Sequence, residues 1–248
     1  MPSRSTITPL KLGEAHLWLF NLEQLLPVKT DWERPLSSEE IARANRFIAD
    51  RDRKRFLARR GILRQLLGNY CGLEPAEVSY QADPNGKLYL PSNSLSFNLS
   101  KSGDRIAYVF SLEKDAGVDI EQARPFTDLS LLAKRAFSQE EQAALAKLPP
   151  SLQVEAFYHT WTQKEAFIKA TGMGLRKPLE DFSVCVDPDK PGKLISIKRV
   201  RDSLADWKMA CFKPEEGLQV AVCIRTKSDL QVTVYLPEIR DFVFPVSS

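Results

Sequence analysis

Histidine and cysteine are scarce in this sequence of 248 residues, which contains two of the first and four of the second. The cysteines lie far apart with no C-x-x-C spacing, which argues against a zinc cluster or a disulfide framework. No apolar run approaches about 18 residues, so we expect no membrane-spanning segment and no membrane partner. The first four residues, M-P-S-R, lack the apolar core of a signal peptide. A cytoplasmic location is therefore expected.

The two histidines do not supply a nucleophilic triad. His16 begins a predicted strand, where a lone histidine is most often a packing residue. His159 precedes Trp161 by two residues on a predicted helix, so its side chain points away from that residue's face. We interpret both as structural residues. A Ser-His-Asp arrangement therefore cannot be assembled in this chain.

Charge gives no sign of a nucleic-acid partner, because the net formal charge is only +3. The hydrophobic fraction of 43% and the charged fraction of 27% are ordinary for a globular protein. One segment departs from this average, since residues 43–64 hold nine Arg or Lys against two Asp. That surplus predicts a surface for phosphates or for an acidic partner.

Hydrophobic periodicity and capping signals predict a mixed chain of helices and strands without a linker. Ser37 with Glu40 and Ser138 with Glu141 form two predicted capping boxes. The sequence D-P-N-G at 83–86 predicts a hairpin turn. The predicted helices cover about residues 37–47, 52–70, 129–136, 138–148 and 152–171. The predicted strands cover about residues 16–22, 78–80, 87–90, 95–103, 105–111 and 117–121, with a late meander of 182–186, 194–197, 207–212 and 218–224.

The first motif with chemistry of its own is G-V-D-I-E at residues 117–121. Side chains alternate on a β-strand, so Asp119 and Glu121 point to one face while Ile120 points into the core. A D-x-E at a strand end is also common as a solvated edge, and the motif alone leaves that alternative open.

The second motif is W-T-Q-K-E-A-F-I-K at residues 161–169, in the long aromatic helix. Glu165 and Lys169 are four residues apart and share a helix face, where the alternative is an exposed intrahelical ion pair. If the strand end and this helix meet, three carboxylates converge with lysines close by. Three hard oxygen ligands suit Mg²⁺ shared with the phosphates of a substrate. The two motifs therefore predict a site for a metal-bound pyrophosphate.

Together the two motifs resemble the signature motifs of the 4′-phosphopantetheinyl transferases, over a stretch from about Leu36 to about Ile224. The chain length and the extra N-terminal half resemble the surfactin-synthetase-activating (Sfp) type and not the short holo-acyl-carrier-protein synthase type. The resemblance implies an α+β fold, built as a pseudo-two-fold pair of halves that each pack a helix on an antiparallel-type sheet. We place the halves at residues 1–113, with the nucleotide contacts, and 114–248, with the metal and pyrophosphate site.

The resemblance also implies an activity, the transfer of the phosphopantetheine arm of coenzyme A to a carrier-protein serine. The transfer uses Mg²⁺ and releases adenosine 3′,5′-bisphosphate. The expected partner is an apo acyl carrier protein or a carrier domain of a polyketide or peptide synthetase, and a monomer is expected by analogy. Two other classes stay open: a catalytically silent module that binds coenzyme A or a carrier protein, and a Mg²⁺-dependent nucleotide hydrolase. The intact set of three carboxylates argues against the silent module.

In the C-terminal half the resemblance implies a Mg²⁺ site formed by three carboxylates, Asp119, Glu121 and Glu165. It gives catalytic roles to Glu165 and Lys169, and both Lys164 and Lys169 are expected to neutralise charge on the phosphates. Glu141 matches a family glutamate that is metal-associated or a general base, and we include it as a catalytic candidate. Its capping box alone also explains it.

In the N-terminal half the expected coenzyme A contacts are Arg43, Arg55, Arg60, Asn85, Gly86, Lys87, Asn98, Ser100 and Lys101. Arg55 aligns with an arginine beside the adenine and Arg43 with a basic residue at the 3′-phosphate, roles that suit a planar guanidinium. The family hairpin reads G-K-P and this chain reads G-K-L at 86–88, with phosphate chemistry expected at Lys87. The family motif F-N-x-S-H-S has Lys101 in place of its histidine. A cation remains there, but a group that could act as a base near neutral pH is lost.

Overall fold

The computed structural model describes residues 7–27, 30–125, 128–174, 178–198 and 203–237. The α-helices in these residues are α1 (Leu22–Leu25), α2 (Ser38–Ala44), α3 (Asp50–Cys71), α4 (Leu129–Ala136), α5 (Gln139–Lys147) and α6 (Pro150–Thr171). The strands are β1 (Glu14–Asn21), β2 (Gln81–Ala82), β3 (Leu88–Tyr89), β4 (Ser96–Ser102), β5 (Arg105–Ser111), β6 (Ala116–Gln122), β7 (Phe182–Val184), β8 (Leu194–Ile197), β9 (Trp207–Phe212), β10 (Leu218–Arg225) and β11 (Gln231–Tyr235). None of the described helices has both the length and the hydropathy needed to cross a membrane.

Two sheets pack face to face, and each carries one long helix on its outer side. The first sheet has the strand order β11-β1-β5-β4 and the second has the order β6-β10-β9. All neighbours are antiparallel except β1 and β11, which run parallel. α3 covers the first sheet and α6 covers the second, and each of these helices has 22 residues. The predicted α+β pair of similar halves is confirmed.

The space between the sheets is filled because the central strands are apolar on both faces. In β5, Ala107 and Val109 face the second sheet, whereas Ile106, Tyr108 and Phe110 face α3. β10 alternates in the same manner between the first sheet and α6. Strands that are covered on both sides are expected to read as continuous apolar runs. The two halves therefore share one continuous four-layer body.

The late strands do not form the predicted meander. β10 lies between β6 and β9, while β7 and β8 pair with each other in a separate small sheet. β11 follows the last strand predicted from the sequence, and it pairs with β1 in the first sheet. Local periodicity identifies strands but cannot show a pairing between opposite ends of a chain.

The predicted helix ends are confirmed where a cap defines them. Ser37 and Ser138 each accept a hydrogen bond from the backbone three residues on, and Glu40 and Glu141 bond back to them. α6 ends at Gly172, whose φ of 67° is the left-handed conformation that closes many helices.

β6 lies directly against α6 at Gly117. A Cβ atom at this position would stand 2.1 Å from the carbonyl oxygen of Ala166 and 2.4 Å from the backbone nitrogen of Ala170. Only glycine lets two backbones approach this closely, because any side chain would push the helix off the strand. This contact fixes how the end of β6 lies relative to the last turns of α6.

We predict that Gly117→Ala lowers the free energy of unfolding by about 2–3 kcal/mol, because the clash is with helix backbone that cannot move alone. Urea unfolding followed by tryptophan fluorescence measures the loss. The control is Gly103→Ala, where the added Cβ meets nothing within 4 Å and only the φ of +59° is unfavourable. That control should cost about 1 kcal/mol. Equal losses at the two positions would contradict the close contact.

Candidate active site

A cleft of about 760 Å³ opens between the two halves. The hairpin of β2 and β3, the strand β4 and the helix α6 all contribute to its walls. Its lining includes Arg43, Arg60, Asn85, Gly86, Lys87, Asn98, Arg135, Glu165 and Lys169. Arg135 on α4 is the one residue in this set that sequence reasoning missed. Nothing in its local pattern separates it from an ordinary solvated helix arginine.

Asp119 lies at the centre of the polar contacts between β6, β4 and α6. Its side chain is buried, and Oδ1 accepts hydrogen bonds from Ser100 Oγ at 2.8 Å and from Lys169 Nζ at 2.6 Å. Lys169 also donates to Ser100 at 2.8 Å. Oδ2 is buried and has no hydrogen-bond partner among the described residues. Burial raises the pKa of Asp119, and the nearby Lys169 opposes that shift.

Glu121 points the same way as Asp119, as the alternation of the strand predicts. Its Oε2 accepts a hydrogen bond from Ser102 Oγ at 2.7 Å. Burial raises the pKa of Glu121, Asp119 adds to the rise, and hydrogen bonds from Ser102 and Trp161 oppose it. Sequence reasoning missed Ser102, although alternation along the strand places it on the same face of β4 as Asn98 and Ser100. Asn98 on this face accepts a hydrogen bond from Val118 N at 3.1 Å.

Glu165 brings the third carboxylate to the site from α6, one helical turn before Lys169. Burial raises the pKa of Glu165, and the charges of Asp119 and Glu121 raise it further. The two motifs therefore meet, as expected. Among the described residues, however, no group of three or more His, Cys, Asp and Glu is close enough to hold a metal ion directly. Instead, the ammonium of Lys169 forms an ion pair with Asp119 and supplies positive charge beside that carboxylate.

The donor set nevertheless fits a hard cation. Asp119, Glu121 and Glu165 all offer carboxylate oxygens, which Mg²⁺ prefers. Burial and, to a lesser extent, repulsion between the carboxylates raise the pKa of Glu121 and of Glu165, and a bound cation would oppose that rise. The unpartnered oxygen of Asp119 is a further indication, because buried polar atoms without a partner are rare.

Lys164 and Glu141 lie away from this cluster and form a buried ion pair with each other. Lys164 Nζ donates to Glu141 Oε2 at 2.7 Å and to the carbonyl of Phe182 at 2.6 Å. The other oxygen of Glu141 accepts from Val184 N at 2.7 Å, and the side chains of Lys164 and Glu141 are 0% and 1% exposed. Both residues connect α5, α6 and β7. The expected phosphate contact of Lys164 and the expected catalytic role of Glu141 are therefore not met, because neither side chain reaches the cleft.

The arginines of the N-terminal half divide into two groups. Arg43 and Arg60 line the cleft, and both guanidinium groups lie over the ring of Phe56 at 5.5 Å. Arg55 is instead held by Asp104, with Nε and Nη2 donating to the two carboxylate oxygens at 2.7 and 2.6 Å. This fork raises the pKa of Arg55. For Arg55 to contact the adenine as expected, its ion pair with Asp104 would have to break.

The hairpin residues reach the cleft, but not in the way expected for Lys87. Its Nζ donates to three backbone carbonyls, those of Ala116, Lys169 and Ala170. The ammonium is thus occupied by protein and is not free for a phosphate. Lys101 is exposed on the face of β4 opposite Ser100, because neighbouring residues of a strand point to opposite sides.

Two protein-family models match the chain. One is described as the 4′-phosphopantetheinyl transferase superfamily and matches residues 115–223. The other is described as 4′-phosphopantetheinyl transferase, N-terminal, and matches residues 25–111.

Known proteins with related sequences match over most of their length. The chain is 36% identical to 4′-phosphopantetheinyl transferase HetI of a Nostoc species, over 90% of this chain and 92% of that protein. It is 35% identical to a 4′-phosphopantetheinyl transferase of Bacillus subtilis, over 76% of this chain and 81% of that protein. It is 33% identical to the 4′-phosphopantetheinyl transferase Sfp of Bacillus subtilis, over 77% of this chain and 88% of that protein.

We predict that Lys164→Met destabilises the protein by about 3–5 kcal/mol at neutral pH, because it leaves the carboxylate of Glu141 buried and unpaired. Burial already raises the pKa of Glu141, and losing Lys164 raises it further. A raised folded-state pKa in an acid costs stability above that pKa, and the cost disappears as the pH falls through it toward the unfolded value. Urea unfolding across neutral and acidic pH measures both effects.

The control for this variant is Lys190→Met, because Lys190 pairs with Asp187 at the surface and its side chain is 69% exposed. It should be nearly neutral in stability at all these pH values. A loss at Lys164 as small as that at Lys190 would contradict the buried pair.

Proposed function

The chain belongs to the 4′-phosphopantetheinyl transferase superfamily, and from this membership we propose that it modifies a carrier protein with the arm of coenzyme A. The acceptor is a serine hydroxyl of an apo acyl or peptidyl carrier protein, and the second product is adenosine 3′,5′-bisphosphate. The observation that supports this most strongly is the cleft between the halves. Arg43 and Arg60 line this cleft from the N-terminal half, and Glu165 and Lys169 line it from α6.

Coenzyme A carries negative charge at two places, the 3′-phosphate and the pyrophosphate. Arg43 and Arg60 offer guanidinium groups for a phosphate, and Lys169 offers an ammonium beside the carboxylates. Asn85 and Gly86 line the same cleft from the hairpin. We assign Arg43 and Arg60 to the nucleotide end of coenzyme A, and the α6 side of the cleft to the pyrophosphate.

We propose that Asp119, Glu121 and Glu165 hold Mg²⁺ against the pyrophosphate. When bound, the ion supplies positive charge to the phosphate oxygens. Because the part of the chain that the structure describes offers no complete cage, substrate oxygens are expected to complete the coordination. Lys169 then exchanges its bond with Asp119 for a phosphate oxygen.

In the transfer step, the serine oxygen of the carrier protein forms a bond to the phosphorus that bears the pantetheine. The bond from that phosphorus to the bridging oxygen breaks, and its electron pair leaves with the adenosine bisphosphate. Lys169 neutralises charge on the phosphates as the bond breaks. We assign the serine proton to a carboxylate oxygen of this cluster, which accepts a proton in its charged form.

A monomer in the cytoplasm stays our prediction for the state and location of the enzyme. The monomer is supported by the cleft, since both of its walls come from one chain. The carrier protein that serves as the physiological acceptor belongs to fatty-acid, polyketide or peptide synthesis.

We predict that an apo acyl carrier protein gains the mass of one phosphopantetheine arm when incubated with this protein, coenzyme A and Mg²⁺. Intact-protein mass spectrometry measures the gain over time. Glu165→Gln should slow it by about 100-fold or more, because one of the three carboxylate charges expected to hold Mg²⁺ is lost. Removing Mg²⁺ with a chelator should stop the reaction, and added Mg²⁺ should restore it.

The matched control is Glu155→Gln, which changes a glutamate of the same helix that pairs with Lys213 at the surface. It should keep the wild-type rate. If the wild type binds coenzyme A but modifies none of several carriers, a silent binding module is the better account. If coenzyme A is cleaved without a carrier, the protein is a hydrolase. Transfer that continues in excess chelator would contradict the magnesium site.

A further inference from the structure

The C-terminal end of α6 is closed by the hairpin of the other half. The last carbonyls of a helix have no partner within it and need donors from elsewhere. The carbonyl of Ile168 accepts from Gly172 N, within the helix's own cap. The carbonyls of Lys169 and Ala170 accept from Lys87 Nζ at 2.8 and 2.6 Å.

The same ammonium also reaches the second sheet. Lys87 Nζ donates to the carbonyl of Ala116 at 3.1 Å, and Ala116 is the first residue of β6. An ammonium has three hydrogens, so these three bonds use its full donor capacity. One side chain from the hairpin thus holds the end of α6 and the start of β6 at once.

Two further contacts fix the hairpin on the helix end. Asn85 Nδ2 donates to the carbonyl of Gly172 at 2.8 Å. A Cβ atom at Gly172 would stand only 3.3 Å from the side chain of Lys87, so the turn lies tightly on the cap. Asp83 Oδ1 accepts from the backbone nitrogens of Asn85 and Lys87 and holds the turn in shape.

The position of this contact matters for the site described above. Lys169 both supplies a carbonyl to Lys87 and places its own ammonium 2.6 Å from Asp119. Asp119 lies three residues beyond Ala116 on β6. A shift of the last turn of α6 relative to β6 would therefore move Lys169 away from Asp119.

We propose that Lys87 is a positioning residue that sets the distance between the last turn of α6 and β6, and so aligns Lys169 with Asp119 for phosphoryl transfer. This inference rests on the proposed function. It gives Lys87 no contact with coenzyme A phosphates. Burial lowers the pKa of Lys87, and the nearby charges of Asp115 and Asp83 oppose that shift.

The test is Lys87→Met, which keeps the length of the side chain and removes all three donors. We expect kcat to fall by about 10- to 100-fold, the loss typical of a small misplacement of reacting groups. The KM for coenzyme A should change by less than about threefold, because no phosphate contact is removed. Amide hydrogen exchange without substrate should become faster at residues 168–172 and stay unchanged in α3. Lys190→Met, at the surface, is the control for kinetics and exchange.

Two outcomes would overturn the proposal. A raised KM with unchanged kcat and exchange would make Lys87 a phosphate ligand. A lower melting temperature with unchanged kcat and KM in the folded protein would make it a purely structural residue. If Lys87→Met does not fold, Asn85→Ala removes one bond of the same contact and should give a smaller effect in the same direction. A wild type that transfers nothing would refute the proposed function, whereas the exchange result is independent of activity.

Discussion

The close contact between β6 and α6 at Gly117 is the constraint on which the candidate active site depends. Two backbones meet there with no room for a Cβ atom. The strand then runs along the helix, so that Asp119 on the strand meets Lys169 on the helix. A larger residue at position 117 would push α6 away from β6 and so lengthen the distance from Lys169 to Asp119.

The second requirement is that both halves are present. Asn98, Ser100 and Ser102 extend from β4 and contact the neighbourhood of Val118, Asp119 and Glu121 on β6. Side chains of the first sheet thus form hydrogen bonds with residues of the second sheet. Among the described strands, these two sheets are not joined by strand pairing. The hairpin adds a second link at the end of α6. The carboxylates of Asp119 and Glu121 are therefore oriented by serine hydroxyls of the other half.

Much of the fold could be predicted from local sequence, because its signals are local. Both capping boxes, the glycine end of α6 and the alternation that aims Asp119 and Glu121 together follow from a few neighbouring residues each. The strand β11 could not be placed, since its pairing with β1 joins opposite ends of the chain.

The site was harder to predict at its lysines and arginines, because long side chains reach partners that are distant in sequence. K-E-A-F-I-K does not show that Lys164 turns toward Glu141 while Lys169 turns toward Asp119. Arg55 is bound by Asp104 from the turn between β4 and β5, and Lys87 by carbonyls of the other half. The family resemblance predicted coenzyme A contacts for all four of these side chains. Their three-dimensional partners show that Lys87, Lys164 and Arg55 are held by protein groups distant in sequence.

The central claim is that carboxylates from β6 and α6 form one cation site that is completed by the substrate. Isothermal titration of Mg²⁺ into the protein, with and without saturating coenzyme A, tests it most directly. We expect binding that is weak without coenzyme A, clearly stronger with it, and lost in Asp119→Asn. Magnesium binding that is the same in Asp119→Asn, or that does not respond to coenzyme A, would contradict the account.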